Sequence, residues 1–144
     1  MNDLDEGGPA LFRLVRFWSR RWAGQAAALT GEARHVQHIL VVEAVRTDPT
    51  EATVGTVAHQ LGLDHSGASR MVKEAVDAGY LARATSEHDR RRAALRLTDS
   101  GRALLEGARE WQRHAFGELT ATWEEHDRLR FAAYLERLAD EVGA

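Results

Sequence analysis

The segment from Thr53 to Thr98, TVGTVAHQLGLDHSGASRMVKEAVDAGYLARATSEHDRRRAALRLT, constrains the fold more than any other part of the chain. Val57, Ala58 and Leu61 recur at helical spacing, Gly62 interrupts them, and a three-residue connection leads to a second helix predicted from about Ser66 to Ala78. Two helices joined in this way form a helix-turn-helix, whose second helix can enter the major groove of DNA. After Gly79 the period changes from helical to alternating. Tyr80-Leu81, an arginine-rich polar tip, and then Ala93, Leu95 and Leu97 predict two short strands joined by a loop, which is a wing.

A nucleic-acid partner has to be reconciled with a formal net charge of -3. The distribution of charge resolves this. From Arg83 to Arg96, Arg83, Arg90, Arg91, Arg92 and Arg96 face only Glu87 and Asp89, so positive charge is concentrated on the wing. An acidic remainder is compatible with DNA binding because only the surface facing phosphate must be positive. At 144 residues, with 44% hydrophobic and 28% charged residues and two prolines, the chain is expected to be a single, largely helical globular domain. The lack of cysteine excludes disulfides and thiolate metal sites. It agrees with a cytoplasmic location, as does the acidic N-terminus, MNDLDEGG, which has no export-like apolar run. No stretch approaches the roughly 20 apolar residues of a membrane span.

Residues 1–8 are polar and expected to fray, and Pro9 suits the first turn of a helix predicted over about residues 10–29. Leu11, Leu14, Val15, Trp18, Trp22, Ala26 and Leu29 form its apolar stripe. Arg13, Arg16, Arg20 and Arg21 lie off that stripe, as a solvated face or partners in intersubunit ion pairs. A second helix is predicted from about Glu32 to Arg46, ended by Thr47-Asp48-Pro49-Thr50, and Thr53 can cap the next one. Beyond the wing, Thr98 and Asp99 place a hydroxyl cap and a carboxylate at the start of a helix carrying Leu104, Leu105, Ala108, Trp111, Ala115 and Leu119. A last helix runs from about Trp123 or Glu124 to Val142. The fold class is therefore mainly α with a small β-wing, a winged helix-turn-helix lobe at residues 53–98 between helices at 10–46 and 99–142. Wide apolar stripes on the terminal helices imply that they pack together and against a second copy. A homodimer would set two second helices roughly 34 Å apart, one DNA turn, matching an inverted-repeat site.

Within the module, Ala68, Met71, Val72 and Ala75 share one helix face and leave Ser66, Arg70, Lys73, Glu74 and Asp77 on the other. Arg70 can read a guanine edge, Ser66 and Ser69 can donate to phosphate or base, and Lys73 suits phosphate. His65 precedes the helix and can reach either. In the tip, Asp89 stands two residues before Arg91, close enough to hold its guanidinium in one direction for a narrow minor groove, with Arg90 and Arg92 beside it. A merely basic loop would not need the aspartate.

These residues carry a resemblance to the MarR family of bacterial transcription regulators over about Leu29 to Leu105. The matching elements are Leu61-Gly62-Leu63-Asp64, Ser66, Ser69-Arg70, Val72, Gly79-Tyr80-Leu81, Arg83, Asp89-Arg90-Arg91, Leu97-Thr98 and Gly101-Arg102. The resemblance implies a homodimer on double-stranded DNA, with Ser66, Ser69, Arg70 and Lys73 in the major groove and Arg91 in the minor groove. It further implies a repressor released by a small aromatic or anionic effector in a cleft beside the DNA-binding lobe. The chain departs from the family pattern at Gly67, where a hydroxyl or larger residue is usual. A helical glycine there weakens the helix start by about 1 kcal/mol relative to alanine.

Trp18, Trp22, His35 and His38 are the candidate effector-binding residues, against the plainer alternative that the tryptophans are core or dimer interface. His35 and His38, three apart on one helix, could instead face a metal with His114 or Glu32, giving a metal-responsive regulator of the same fold. No second spaced pair supports that, and neither a metal nor another cofactor is expected. No enzyme motif appears. The remaining alternative is a winged-helix protein-interaction adaptor that does not bind DNA.

Overall fold

The computed structural model describes residues 4–30 and 33–144, with the side chains of residues 20, 22–30 and 33–35 outside the description. The chain divides into two compact units, residues 1–37 and 38–144.

The first unit holds a 3-10 turn, Leu4–Glu6, and helix α1, Gly7–Thr30. The helix starts three residues earlier than the frayed terminus predicted from its glycines. Pro9 falls third in its first turn, where the missing N–H costs no hydrogen bond, so nothing prevents Gly7 and Gly8 from being helical. Leu11, Phe12, Leu14, Val15 and Phe17 are all exposed. Arg21 lies 3.9 Å from the Phe17 ring centroid, covering part of that apolar surface with its guanidinium.

Helix α2, Ala33–Thr47, passes from the first unit into the second. After it, the Asp48 carboxylate accepts hydrogen bonds from the backbone and hydroxyl of Thr50 and from the Thr56 hydroxyl, closing the turn around Pro49. The Thr50 N–H in particular holds the Asp48 carboxyl below the usual carboxylate range. Helix α3, Val54–Leu61, begins with a capping box between Thr53 and Thr56 and ends at Gly62 in the left-handed conformation. Helix α4, His65–Asp77, follows at once.

Strands β1, Leu81–Thr85, and β2, Ala93–Leu97, pair antiparallel with Leu81 opposite Leu97 and Thr85 opposite Ala93. An isolated bridge from Ala52 to Leu95 adds a third backbone to the sheet, with the Leu95 N–H donating to the Ala52 carbonyl at 2.8 Å. The core of this unit is built from Val41, Val42, Ala44 and Val45 of α2, Val57 of α3, Ala68, Val72 and Ala75 of α4, and Leu81 and Leu95 of the strands. It fixes α4 and the hairpin to one support.

Helix α5, Asp99–Leu119, is capped by Thr98 as the sequence predicts, and α6 spans Glu125–Val142. The Thr98 hydroxyl accepts from the Gly101 N–H at 3.1 Å and donates to the Gly79 carbonyl, while the Thr98 N–H donates to the Tyr80 carbonyl at 3.1 Å. The end of α4, the base of the wing and the start of α5 are thus tied at one point. At the other end of α5, Phe116 stacks on Phe131 of α6 at 5.9 Å. Even so, α6 contains no buried residue. Among the described residues, no helix is long and apolar enough to cross a membrane.

Candidate nucleic-acid interface

The face of α4 follows from its sequence. Ala68, Val72 and Ala75 are fully buried, and the three- and four-residue spacing that buries them turns Ser66, Arg70, Lys73, Glu74 and Asp77 to solvent. Among the described residues the Arg70 side chain makes no hydrogen bond or ion pair, so its five donors are available. Lys73 is engaged by Asp77 at 2.7 Å, an exposed pair that a phosphate can replace at little cost. Ser69 is half-buried, and its hydroxyl is therefore less open than that of Ser66.

The start of α4 differs from expectation in one detail. His65 does not precede the helix but is its first residue, because Asp64 acts as the cap and its Oδ1 accepts from the Gly67 N–H at 2.8 Å. Gly67 has a structural counterpart to its propensity cost. A Cβ built there would lie 2.7 Å from Asp64 Oδ1, so the bare glycine gives this capping carboxylate room to close over the helix end.

On the wing, Arg83, Arg90, Arg91, Arg92 and Arg96 are all exposed. Asp89 holds Arg91 by a different route from the one its spacing suggests. Its Oδ1 accepts from the Arg91 backbone N–H at 2.9 Å, and its Oδ2 lies 3.7 Å from Nε of Arg92 rather than at the Arg91 guanidinium. A side chain that accepts a backbone N–H two residues on closes a turn. Asp89 therefore fixes the direction in which Arg91 leaves the loop and leaves its guanidinium without a partner among the described residues.

Two residues of the site escape a reading by motif. Ser86, almost fully buried, accepts from the backbone N–H groups of His88 and Asp89 at 3.1 and 3.0 Å. Its hydroxyl donates to the Glu51 carboxylate, which also accepts the Glu87 N–H at 3.1 Å. These bonds, and above all the one from Ser86, hold the Glu51 carboxyl below its ordinary value against the opposing effect of burial, with His88 and Arg96 adding positive charge nearby. The Ser86-to-Asp89 spacing is a local turn signal that the sequence does display. Glu51 lies 35 residues from its partner, and no local pattern reveals it.

Of the other candidate residues, Trp18 is half-buried and packs edge-on against Phe17, with ring centroids 6.1 Å apart. His38 is buried with its ring 5.3 Å from that of Tyr80. The side chains of Trp22 and His35 lie outside the described residues, and with them the paired-imidazole arrangement. His114 is exposed on α5. The structure brings the ten DNA-directed residues, from His65 to Lys73 and from Asp89 to Arg92, onto one compact unit.

Comparison with known proteins agrees with this architecture. The family model described as MarR family matches residues 35–92, from α2 through the wing tip. No curated protein matches the chain. Among solved structures, a MarR family protein from Bacillus stearothermophilus is 19% identical with a TM-score of 0.72, the alignment covering 100% of this chain and 99% of that one. Wild-type MarR from E. coli in its apo form is 18% identical with a TM-score of 0.68, over 96% of this chain and 98% of that one. A MepR mutant from S. aureus bound to an oligodeoxyribonucleotide is 18% identical with a TM-score of 0.58, over 93% and 96%. Residues 35–92 thus match the MarR family model, and the chain along its length shares the fold of MarR family structures.

Proposed function

We propose that the protein is a homodimeric, sequence-specific DNA-binding repressor that acts on an inverted-repeat operator. The observation that carries this is the joint arrangement on one lobe of an outward α4 face, with Ser66 and Arg70 exposed, and a wing tip whose Asp89 directs Arg91. Arg70 reads a guanine edge in the major groove, His65, Ser66, Ser69 and Lys73 meet phosphate or base, and Gly67 lets the Asp64 carboxylate close over the helix start beside them. Arg90, Arg91 and Arg92 meet the minor groove and its flanking phosphates. The MepR structure bound to an oligodeoxyribonucleotide supports a reading in which this fold meets DNA.

The second copy covers apolar surface that one chain leaves open. Leu129, Tyr134, Leu135, Leu138 and Val142 of α6 are exposed, as are Leu11, Phe12, Leu14, Val15 and Phe17 of α1. Residues 10–46 and 99–142 supply the dimer contacts, and residues 53–98 read DNA. A small aromatic or anionic effector, with Trp18, Trp22, His35 and His38 as its contacts, relieves repression by binding more tightly to a state in which the two α4 helices no longer match successive major grooves.

The test is selection of duplexes from a random-sequence pool by the full-length protein, followed by binding across a salt series. Enrichment of a two-fold symmetric sequence is expected, with affinity falling steeply as salt rises, by a slope of about -0.9 per phosphate neutralised. Failure to enrich any duplex at low salt overturns the DNA-binding function and favours a protein-interaction adaptor.

A further inference from the structure

We propose that Glu51 is a positioning residue for the wing, fixing from outside the hairpin the conformation in which the tip presents Arg91 to DNA. This rests on the DNA-binding function above and assigns a role to a residue that makes no contact with DNA in it. The two carboxylate oxygens hold different groups. Oε1 takes the Ser86 hydroxyl proton and Oε2 takes the Glu87 N–H. A serine hydroxyl has one proton and two lone pairs, so donating that proton to Glu51 commits its lone pairs to other donors. The donors present are the N–H groups of His88 and Asp89. Asp89 in turn accepts the Arg91 N–H, so four residues form one relay, Glu51 to Ser86 to Asp89 to Arg91.

Each end of the relay has a defined mechanical state. Beside Glu51, buried Ala52 is bonded to β2 through Leu95, which anchors the carboxylate to the sheet. At the far end Arg91 is exposed and, among the described residues, held through its backbone N–H. Without the carboxylate, the Ser86 hydroxyl is free to turn its proton elsewhere, and the tip samples conformations that do not fit the groove. Affinity then falls in proportion to the competent fraction. Plain electrostatics predicts the opposite sign, because removing a negative charge from a DNA-binding lobe strengthens attraction to phosphate.

The experiment uses the full-length protein and a duplex enriched by the wild type from a random pool. Affinities and urea midpoints are measured for Glu51→Ala, Arg91→Ala and the double variant. Glu51→Ala is expected to bind about tenfold more weakly, the loss when the competent fraction falls to about one tenth, under conditions where its urea curve shows it fully folded. In the Arg91→Ala background the same change should cost nothing further, which a general structural role would not produce. Should Glu51→Ala lower the urea midpoint, Glu51→Gln, which keeps an acceptor oxygen toward Ser86, should restore wild-type affinity, and a loss as large as that of Glu51→Ala overturns the proposal. Binding by Glu51→Ala as tight as or tighter than wild type, or a loss that adds in full to that of Arg91→Ala, overturns the proposal while leaving the DNA-binding function intact. Failure of the wild type to enrich any duplex overturns both.

Discussion

Gly101→Ala tests whether the junction of wing and α5 is as tight as its geometry implies. A Cβ on Gly101 would lie 2.1 Å from the Tyr80 carbonyl oxygen, more than 1 Å inside the 3.4 Å at which ordinary contact begins, and the obstacle is backbone rather than a movable side chain. The start of α5 must back away. Doing so stretches the bond from the Thr98 N–H to that same carbonyl and the Thr98 link to Gly79. Overpacking of this kind costs about 1–3 kcal/mol and a lost hydrogen bond about 0.5–1.5 kcal/mol. The gain in helix propensity from glycine to alanine, about 1 kcal/mol, opposes them and leaves a net destabilisation of about 0.5–3.5 kcal/mol. Gly107 provides an internal control, since it lies in the same helix, is exposed, and has nothing within 4 Å of an added Cβ. There the same substitution should stabilise by up to about 1 kcal/mol. Urea unfolding at one fixed protein concentration reads both, because the proposed dimer would make stability concentration-dependent. If Gly101→Ala is as stable as wild type, or the two variants shift together, the close approach at Tyr80 is not what the glycine serves.

Three further outcomes follow from the site. Asp89→Ala should weaken binding to a selected duplex although it removes a negative charge, because it frees the Arg91 backbone, and tighter binding would show that charge rather than direction governs the tip. Arg70→Ala should relax base preference at one position per half-site, at a cost of about 1–3 kcal/mol if the contact to guanine is bidentate, whereas a uniform loss across sequences would make it a phosphate contact. For Glu51 the carboxyl is depressed in the folded protein, so its contribution is fully present above the ordinary value of about 4.3 and is lost as pH falls through the lower folded value. The Glu87 and Asp89 amides, referred to Glu51→Gln to remove the parallel effect of Asp48, should be protected from exchange above that ordinary value and lose the protection only as the pH falls through the lower folded value.

How much of this was legible in the sequence depends on the range over which each feature acts. The helix-turn-helix, both caps at Thr53 and Thr98 and the hairpin at 81–97 are set by spacing and by residues within one turn of each other, and they appear where the sequence predicts. The fully buried Ala68, Val72 and Ala75 were likewise readable as one helix face. Asp89 was correctly singled out as a partner for Arg91, but spacing alone does not distinguish a bond to the guanidinium from one to the backbone, and the tight turn favours the latter. Gly67 looked like a pure loss because propensity ignores the neighbouring Asp64 carboxylate, which occupies the space a side chain would need. The Glu51–Ser86 bond and the bridge from Ala52 to Leu95 join segments distant in sequence, and only the folded chain brings them together.

The central claim is that two α4 helices and two wings engage DNA together, and a hydroxyl-radical footprint on a selected duplex tests it most directly. Two symmetric half-sites with centres about 10 base pairs apart are expected, flanked by minor-groove protection that disappears in Arg91→Ala while the half-site protection persists. A single unsymmetric footprint, or flanking protection unchanged by Arg91→Ala, would contradict it.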